Sequence, residues 1–279
     1  MKRMVMAILV TAVVCAAVFA QRGQTVYVSA RGNDNNSGSE EQPYLTIQRA
    51  LMMLMIANAA GHDFNTITVI GTLNEKNSDA DGNRFQLFNV DEERDIIITG
   101  KPGATGAERA VLSIRGTDAV VAVFLGRIRF EHIEISGGNI GIGITSSRVT
   151  LGPGAVVRGN SSNGVTVMTD GTLVIDGGEV RDNALTGVNI GEGGVLTMRN
   201  GAIRDNRSSR EAGGVLVHPS GTFTMYGGSV TGNRAASSGG GVYVASGGTF
   251  NQTGGTISNN TASQSPNIFR ASGSRGSNL

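Results

Sequence analysis

Residues 164–183 read Gly-Val-Thr-Val-Met-Thr-Asp-Gly-Thr-Leu-Val-Ile-Asp-Gly-Gly-Glu-Val-Arg-Asp-Asn, and this stretch decides the fold. It opens on a Gly followed by an aliphatic residue and closes on an Asn 19 residues after that Gly. The same pairing recurs at Gly141/Asn160, Gly187/Asn206, Gly214/Asn233 and Gly241/Asn260, while the step from each Asn to the next Gly runs 4, 4, 8 and 8 residues. A unit of fixed length joined by loops of variable length is the pattern of a solenoid.

Inside the unit, side chains alternate. Val165/Val167, Val188/Ile190, Val215/Val217 and Val242/Val244 follow the first Gly. A second Gly at 171, 194, 221 and 248 precedes Leu173/Ile175, Leu196/Met198 and Phe223/Met225. A third at 178, 201, 228 and 255 precedes Val180, Ile203, Val230 and Ile257. Period-2 alternation is the mark of a strand with one face on a core. Three short strands per unit, divided by glycine corners, predict an all-β protein. The expected architecture is a right-handed, single-stranded parallel β-helix of roughly ten rungs stacked about 4.8 Å apart. The closing asparagines, Asn160, Asn183, Asn206, Asn233 and Asn260, with Asn139 ahead of them, are expected to form a ladder at one corner.

Working outward, the first half fits the same plan with less regular rungs. Ile67–Ile70, Ile96–Ile98 and Val111–Ile114 are β-rich runs, Arg127–Ile135 alternates, and Asn74–Arg84 reads as a protruding polar loop. Thr46 is placed to cap a helix over 46–60, with Ile47, Ala50, Leu51, Leu54 and Met55 on one apolar stripe. An amphipathic helix at that point is the expected cover for the open end of the stack. Residues 1–20 carry Lys2 and Arg3, then an uncharged apolar run of 17 residues ending Val18-Phe19-Ala20, the pattern of a cleaved secretory signal peptide. The domain is then 21–262, with a Ser/Gly/Asn-rich tail at 263–279 expected to fray. Loss of the leader removes Cys15, the one cysteine, and lowers the formal charge from +1 to −1. Disulfides and thiolate metal sites are then excluded, nothing points to nucleic acid, and no second apolar run is long enough to span a membrane.

The opening Val26-Tyr27-Val28-Ser29, Gly32-Asn33-Asp34, Gly38 and Pro43-Tyr44-Leu45-Thr46-Ile47-Gln48, with Ala50-Leu51, resembles the N-terminal cap of secreted pectate-lyase-like (pectin lyase-like) β-helix proteins. The rungs GGEVRDN, GGSVTGN and GGTISNN, with GGVLV and GGGVYV, are similar to passenger repeats of bacterial polymorphic outer-membrane and autotransporter adhesins. The resemblance implies an exported, adhesin-like or structural protein of the periplasm, cell surface or extracellular space. Its partner would be a polysaccharide or a host or matrix protein. The alternative it implies is a carbohydrate-active enzyme, a polysaccharide lyase or glycoside hydrolase.

An enzyme of that kind would need acidic groups gathered on neighbouring rungs, with a nearby base. The nearest pattern is Arg158, Arg181 and Arg204 at one offset with Asp182 and Asp205 at the next, so Asp182, Asp205, Arg181 and Arg204 are the catalytic candidates. The reading preferred here is a surface ladder of alternating charge. Asp34–Glu41 carries oxygen ligands around Gly38 and is faintly like a calcium loop; no other cofactor is indicated, and His62, His132 and His218 are isolated. Binding is expected instead on a Thr-rich strand face (Thr172, Thr197, Thr222, Thr224 and Thr249) and at the longer loops carrying Arg207, Arg210, Glu211 and Arg234. End-to-end self-association is a further expectation for a solenoid with an open end.

Overall fold

The computed structural model describes residues 25–74, 84–90 and 93–277; the leader and most of the 74–84 excursion lie outside them. Among the described residues the chain is almost wholly β. Twenty-two strands belong to one parallel sheet system, and two short strands pair separately. Register follows the repeat: Val165 stands beside Ile142 and Val188, then Val215, Val242 and Ile268 continue the column. Leu173, Leu196, Phe223 and Phe250 form a second column and Val157, Val180, Ile203, Val230 and Ile257 a third. Except for Ile257 and Ile268, these side chains are fully buried, each contributing about 1.5–3 kcal/mol of transfer free energy. Phe223 and Phe250 stack with centroids 4.8 Å apart, the distance that parallel pairing imposes on equivalent side chains.

The asparagines hold the corner together. From Asn183 to Asn260, each Asn Oδ1 accepts from both the backbone N and the Nδ2 of the Asn one rung before it. From Asn160 to Asn183 these bonds are 3.2 and 2.9 Å, from Asn183 to Asn206 3.1 and 2.9 Å, from Asn206 to Asn233 3.1 and 3.0 Å, and from Asn233 to Asn260 2.9 and 3.0 Å. The second Nδ2 hydrogen reaches backbone carbonyls, for example from Asn206 to Val180 O at 3.1 Å. The asparagine carbonyls accept in turn, as Asn206 O does from Arg234 N. No polar group of Asn206 is left without a partner, although the residue is 0% exposed. The ladder also explains the 19-residue spacing. At Gly187 the backbone φ is ordinary, but a Cβ would stand 2.6 Å from Asn206 Nδ2 and 2.8 Å from Gly214 O. Gly and Asn are two sides of one contact.

Asn139 does not belong to the ladder. It is half-buried and donates to Thr117 O, and the backbone N of Gly138 takes its place by donating to Asn160 Oδ1. At the other end Asn267 joins, accepting from Asn260 N and Nδ2 at 3.3 and 3.2 Å. The tail expected to fray instead carries part of another rung. Ile268–Arg270 pairs with Val242–Val244, and Gln264 and Arg275 bridge to Ser238 and Thr249. Arg270 occupies the inward column above Val244. Its guanidinium lies 5.2 Å from the Phe250 ring centroid and donates to Phe250 O and Arg275 O, both at 2.9 Å, and burial lowers its pKa.

The helix Ile47–Ala59 forms as expected, with the Thr46 hydroxyl accepting from Arg49 N at 3.1 Å. Asp34 anchors the cap, accepting from Leu45 N, Thr46 N and the Thr46 hydroxyl. The buried stripe includes Met53 while Met55 is only partly covered, because the helix lies across three strands and buries a wider face than the one foreseen. The alternation 127–135 is also two strands. It breaks at His132, whose φ of 48° turns the corner between Ala119–Glu131 and Ile133–Ser136. No described helix is long and apolar enough to cross a membrane.

Asn206→Ala removes the acceptor of two buried donors and the donor to Val180 O, so it is expected to cost about 3 kcal/mol. Asn139→Ala is expected to cost less than about 1 kcal/mol. Urea denaturation of the two variants measures the difference.

Candidate functional site

Outward positions at the ends of the strands Val156–Arg158, Thr172–Arg181 and Val195–Arg204 set the charged edge. Parallel register places Arg158, Arg181 and Arg204 one above another. Three guanidiniums in a column repel, and carboxylates separate them. Glu134, with a side chain only 6% exposed, pairs with Arg109 at 2.6 Å and Arg158 at 2.9 Å. Glu179 pairs with Arg181 at 3.1 Å and Arg204 at 2.8 Å. Asp182 and Asp205 each pair with the Arg before them, at 2.5 and 2.8 Å. Burial works to lower the Arg204 pKa, but the hydrogen bonds to Asp205 and Glu179 outweigh it and raise the value.

The structure thus brings the four catalytic candidates together, with Glu134 and Glu179 as carboxylates the sequence reading had passed over. Their signal was faint, since in that column they alternate with Val156 and Ala202. The two aspartates occupy a corner where the backbone is left-handed, with φ of 55° and 57°; Gly159, Gly232 and Asn259 hold the same corner on other rungs with φ of 64°, 68° and 56°. Asp, Asn and Gly are the residues that tolerate that conformation. Backbone geometry accounts for their placement, and arginines occupy their carboxylates.

The acidic loop at the N-terminal cap is engaged in the same way. Asp34 holds the helix cap, and Glu40 forms an ion pair with Lys101 that raises the lysine pKa. Among the described residues no three acidic, His or Cys side chains gather closely enough to hold a metal ion.

The Thr face is mixed. Thr172, Thr222 and Thr249 share an outward column with Val195, and Thr197 and Thr224 share the next with Val174 and Asn251. The longer loops behave differently. Arg207–Ser208 and Arg234–Ala235 form a separate small parallel sheet outside the main stack, with Arg207 directly beside Arg234. Ser208 and Ala235 turn inward, while Arg207, Arg210 and Arg234 are exposed and no carboxylate among the described residues pairs with them. Glu211 is half-buried beside them, and its carbonyl accepts from the Ser208 hydroxyl.

Comparison with protein-family models, with curated proteins and with solved structures finds no match to this chain.

If Asp182 serves the corner, Asp182→Gly changes stability by less than about 1 kcal/mol, the worth of an exposed ion pair. Asp182→Val, which puts a β-branched residue at positive φ, is expected to lose about 1–2 kcal/mol more. Thermal unfolding of both variants checks the order.

Proposed function

We propose that this chain is an exported, non-catalytic protein of the cell envelope or surface. Its scaffold is read as a right-handed β-helix of about ten rungs, related in design to pectate-lyase-like proteins and adhesin passengers. It binds through its stacked corner loops. The observation that carries the reading is the Arg207/Arg234 pair. Elsewhere on the same side of the solenoid, stacked arginines are interleaved with carboxylates. At this corner two adjacent strands, about 4.8 Å apart, each present an exposed arginine with Arg210 nearby, and no carboxylate among the described residues, Glu211 included, lies within ion-pair distance of them. Repulsion maintained there is relieved when an anionic partner arrives, and the exposed forks suit carboxylate, sulfate or phosphate. The partner class this fits is an acidic polysaccharide or an acidic patch on a host or matrix protein.

The test is a glycan and matrix-protein binding screen with the mature chain and an Arg207→Ser/Arg234→Ser double variant. Capture lost in the variant and weakened by salt is expected; capture unchanged in the variant would remove the corner from the account. Release of unsaturated uronides from pectin with added Ca2+, abolished by Asp182→Ala or Asp205→Ala, would replace the binding reading with the lyase reading. Protease accessibility on intact cells checks the surface location.

A further inference from the structure

The corner between the first and second strand of each rung changes length partway along the solenoid. Val167 and Thr172, Ile190 and Val195, Val217 and Thr222, and Val244 and Thr249 are five residues apart and stand in register. On the two rungs before them, Val123 and Arg127, and Ile144 and Arg148, are only four apart. One rung earlier still, Leu87 and Ile96 lie nine apart, against five for their partners Val123 and Ile128. Two short corners ahead of the longer ones that follow leave a notch, a groove of about 380 Å³.

Its floor is built for close approach. Gly126 has a φ of 74° and a Cβ there would lie 2.0 Å from Asn89 O, so no side chain fits at this position. The Ser147 hydroxyl donates to Val123 O within the wall. Arg127, Ser146, Arg148, Asp170 and Thr172 remain to line the space.

Arg127 and Arg148 are direct neighbours on adjacent strands. Asp95 accepts from Arg127 Nε at 2.7 Å, which fixes that guanidinium by its inner edge and leaves the terminal nitrogens free of that bond. No carboxylate among the described residues lies within ion-pair distance of Arg148. Asp170 lines the far wall of the space.

We infer that this notch binds a sugar carrying a sulfate or phosphate ester. The ester sits between the Arg127 and Arg148 guanidiniums, and the sugar hydroxyls face Asp170, Ser146 and Thr172. Two arginines on adjacent strands, whose backbones run about 4.8 Å apart, offer donors from two levels. A tetrahedral ester with three acceptor oxygens can use both, whereas one fork satisfies a planar carboxylate. A carboxylate on the opposite wall suits hydroxyl donors and disfavours a bare polyanion. The site is separate from the Arg207/Arg234 corner, and neither assignment rests on the other.

Calorimetric titration of the mature chain with glucose 6-sulfate, glucose 6-phosphate, glucose and inorganic sulfate tests the inference. One or both esters are expected to bind, with glucose and inorganic sulfate at least about tenfold weaker; the preferred ester identifies the source of the oxyanion. Arg148→Gln should weaken the ester by about tenfold or more with unchanged thermal unfolding. Asp170→Asn should weaken the ester but not inorganic sulfate. Insertion of one Gly after Ser146, which lengthens the corner to match later rungs, should abolish binding while Arg148 is retained. Arg207→Ser/Arg234→Ser should leave it unchanged. The inference is overturned if neither ester binds at millimolar concentration, if glucose binds as well as its esters, or if Arg148→Gln binds like the native chain.

Discussion

The interior of a stacked-strand solenoid must turn corners, and a corner buried on every rung repeats the same unpaired backbone groups on every rung. In this chain the asparagine amide resolves that problem. Each side chain from Asn183 onward accepts twice from the Asn before it and donates to the one after, so the amides from Asn160 to Asn260 align in one direction and polarise one another. The glycine that opens each unit lies against the amide that closes it, within 3.0 Å of a Cβ position at Gly164, Gly187, Gly214 and Gly241. The fixed 19-residue spacing follows from that contact.

With the inside fixed, variation moves outward. Equivalent side chains lie one above another, so any charge is repeated at close range unless another residue answers it. One edge answers with Glu134, Glu179, Asp182 and Asp205 between arginines. The corner at Arg207 and Arg234 and the notch at Arg127 and Arg148 answer incompletely or not at all. Corner length is the second variable. Four extra residues after Asn206 and Asn233 build a small outer sheet, and one residue fewer before Arg127 and Arg148 opens a groove. The scaffold is one pattern, and recognition is assigned here to departures from it.

Much of the parallel stack was legible in the sequence because two periodicities agreed, alternation within strands and the Gly-to-Asn spacing between them. The errors have physical sources. Asn139 resembles a rung residue, but a backbone N–H from Gly138 fills the ladder position, and hydrogen-bond roles carry no residue signature. Asn267 lies 7 residues beyond Asn260 instead of a full rung, so the repeat arithmetic passed over it. The tail beyond Ser263 looked frayed by composition, yet main-chain pairing to Val242–Val244 needs few apolar side chains. The acidic partners Glu134 and Glu179 alternate with apolar residues, and the notch depends on register between irregular early rungs, visible only once the strands are paired.

The stability of Asn206→Asp as a function of pH tests the ladder most directly. The substitution keeps the shape and the acceptor that serves Asn183 but removes the donors to Asn233 Oδ1 and Val180 O. Burial raises the pKa of the new carboxyl in the folded state, so the folded protein binds the proton more tightly and stability falls as pH rises above the unfolded value of about 3.9. The account predicts a variant weaker than the native chain by about 3 kcal/mol or more at pH 7, recovering much of the difference below about pH 4, where the neutral acid donates one bond. A variant as stable as the native chain at pH 7, with the same pH dependence, would contradict the claim that the aligned amides hold the rungs together.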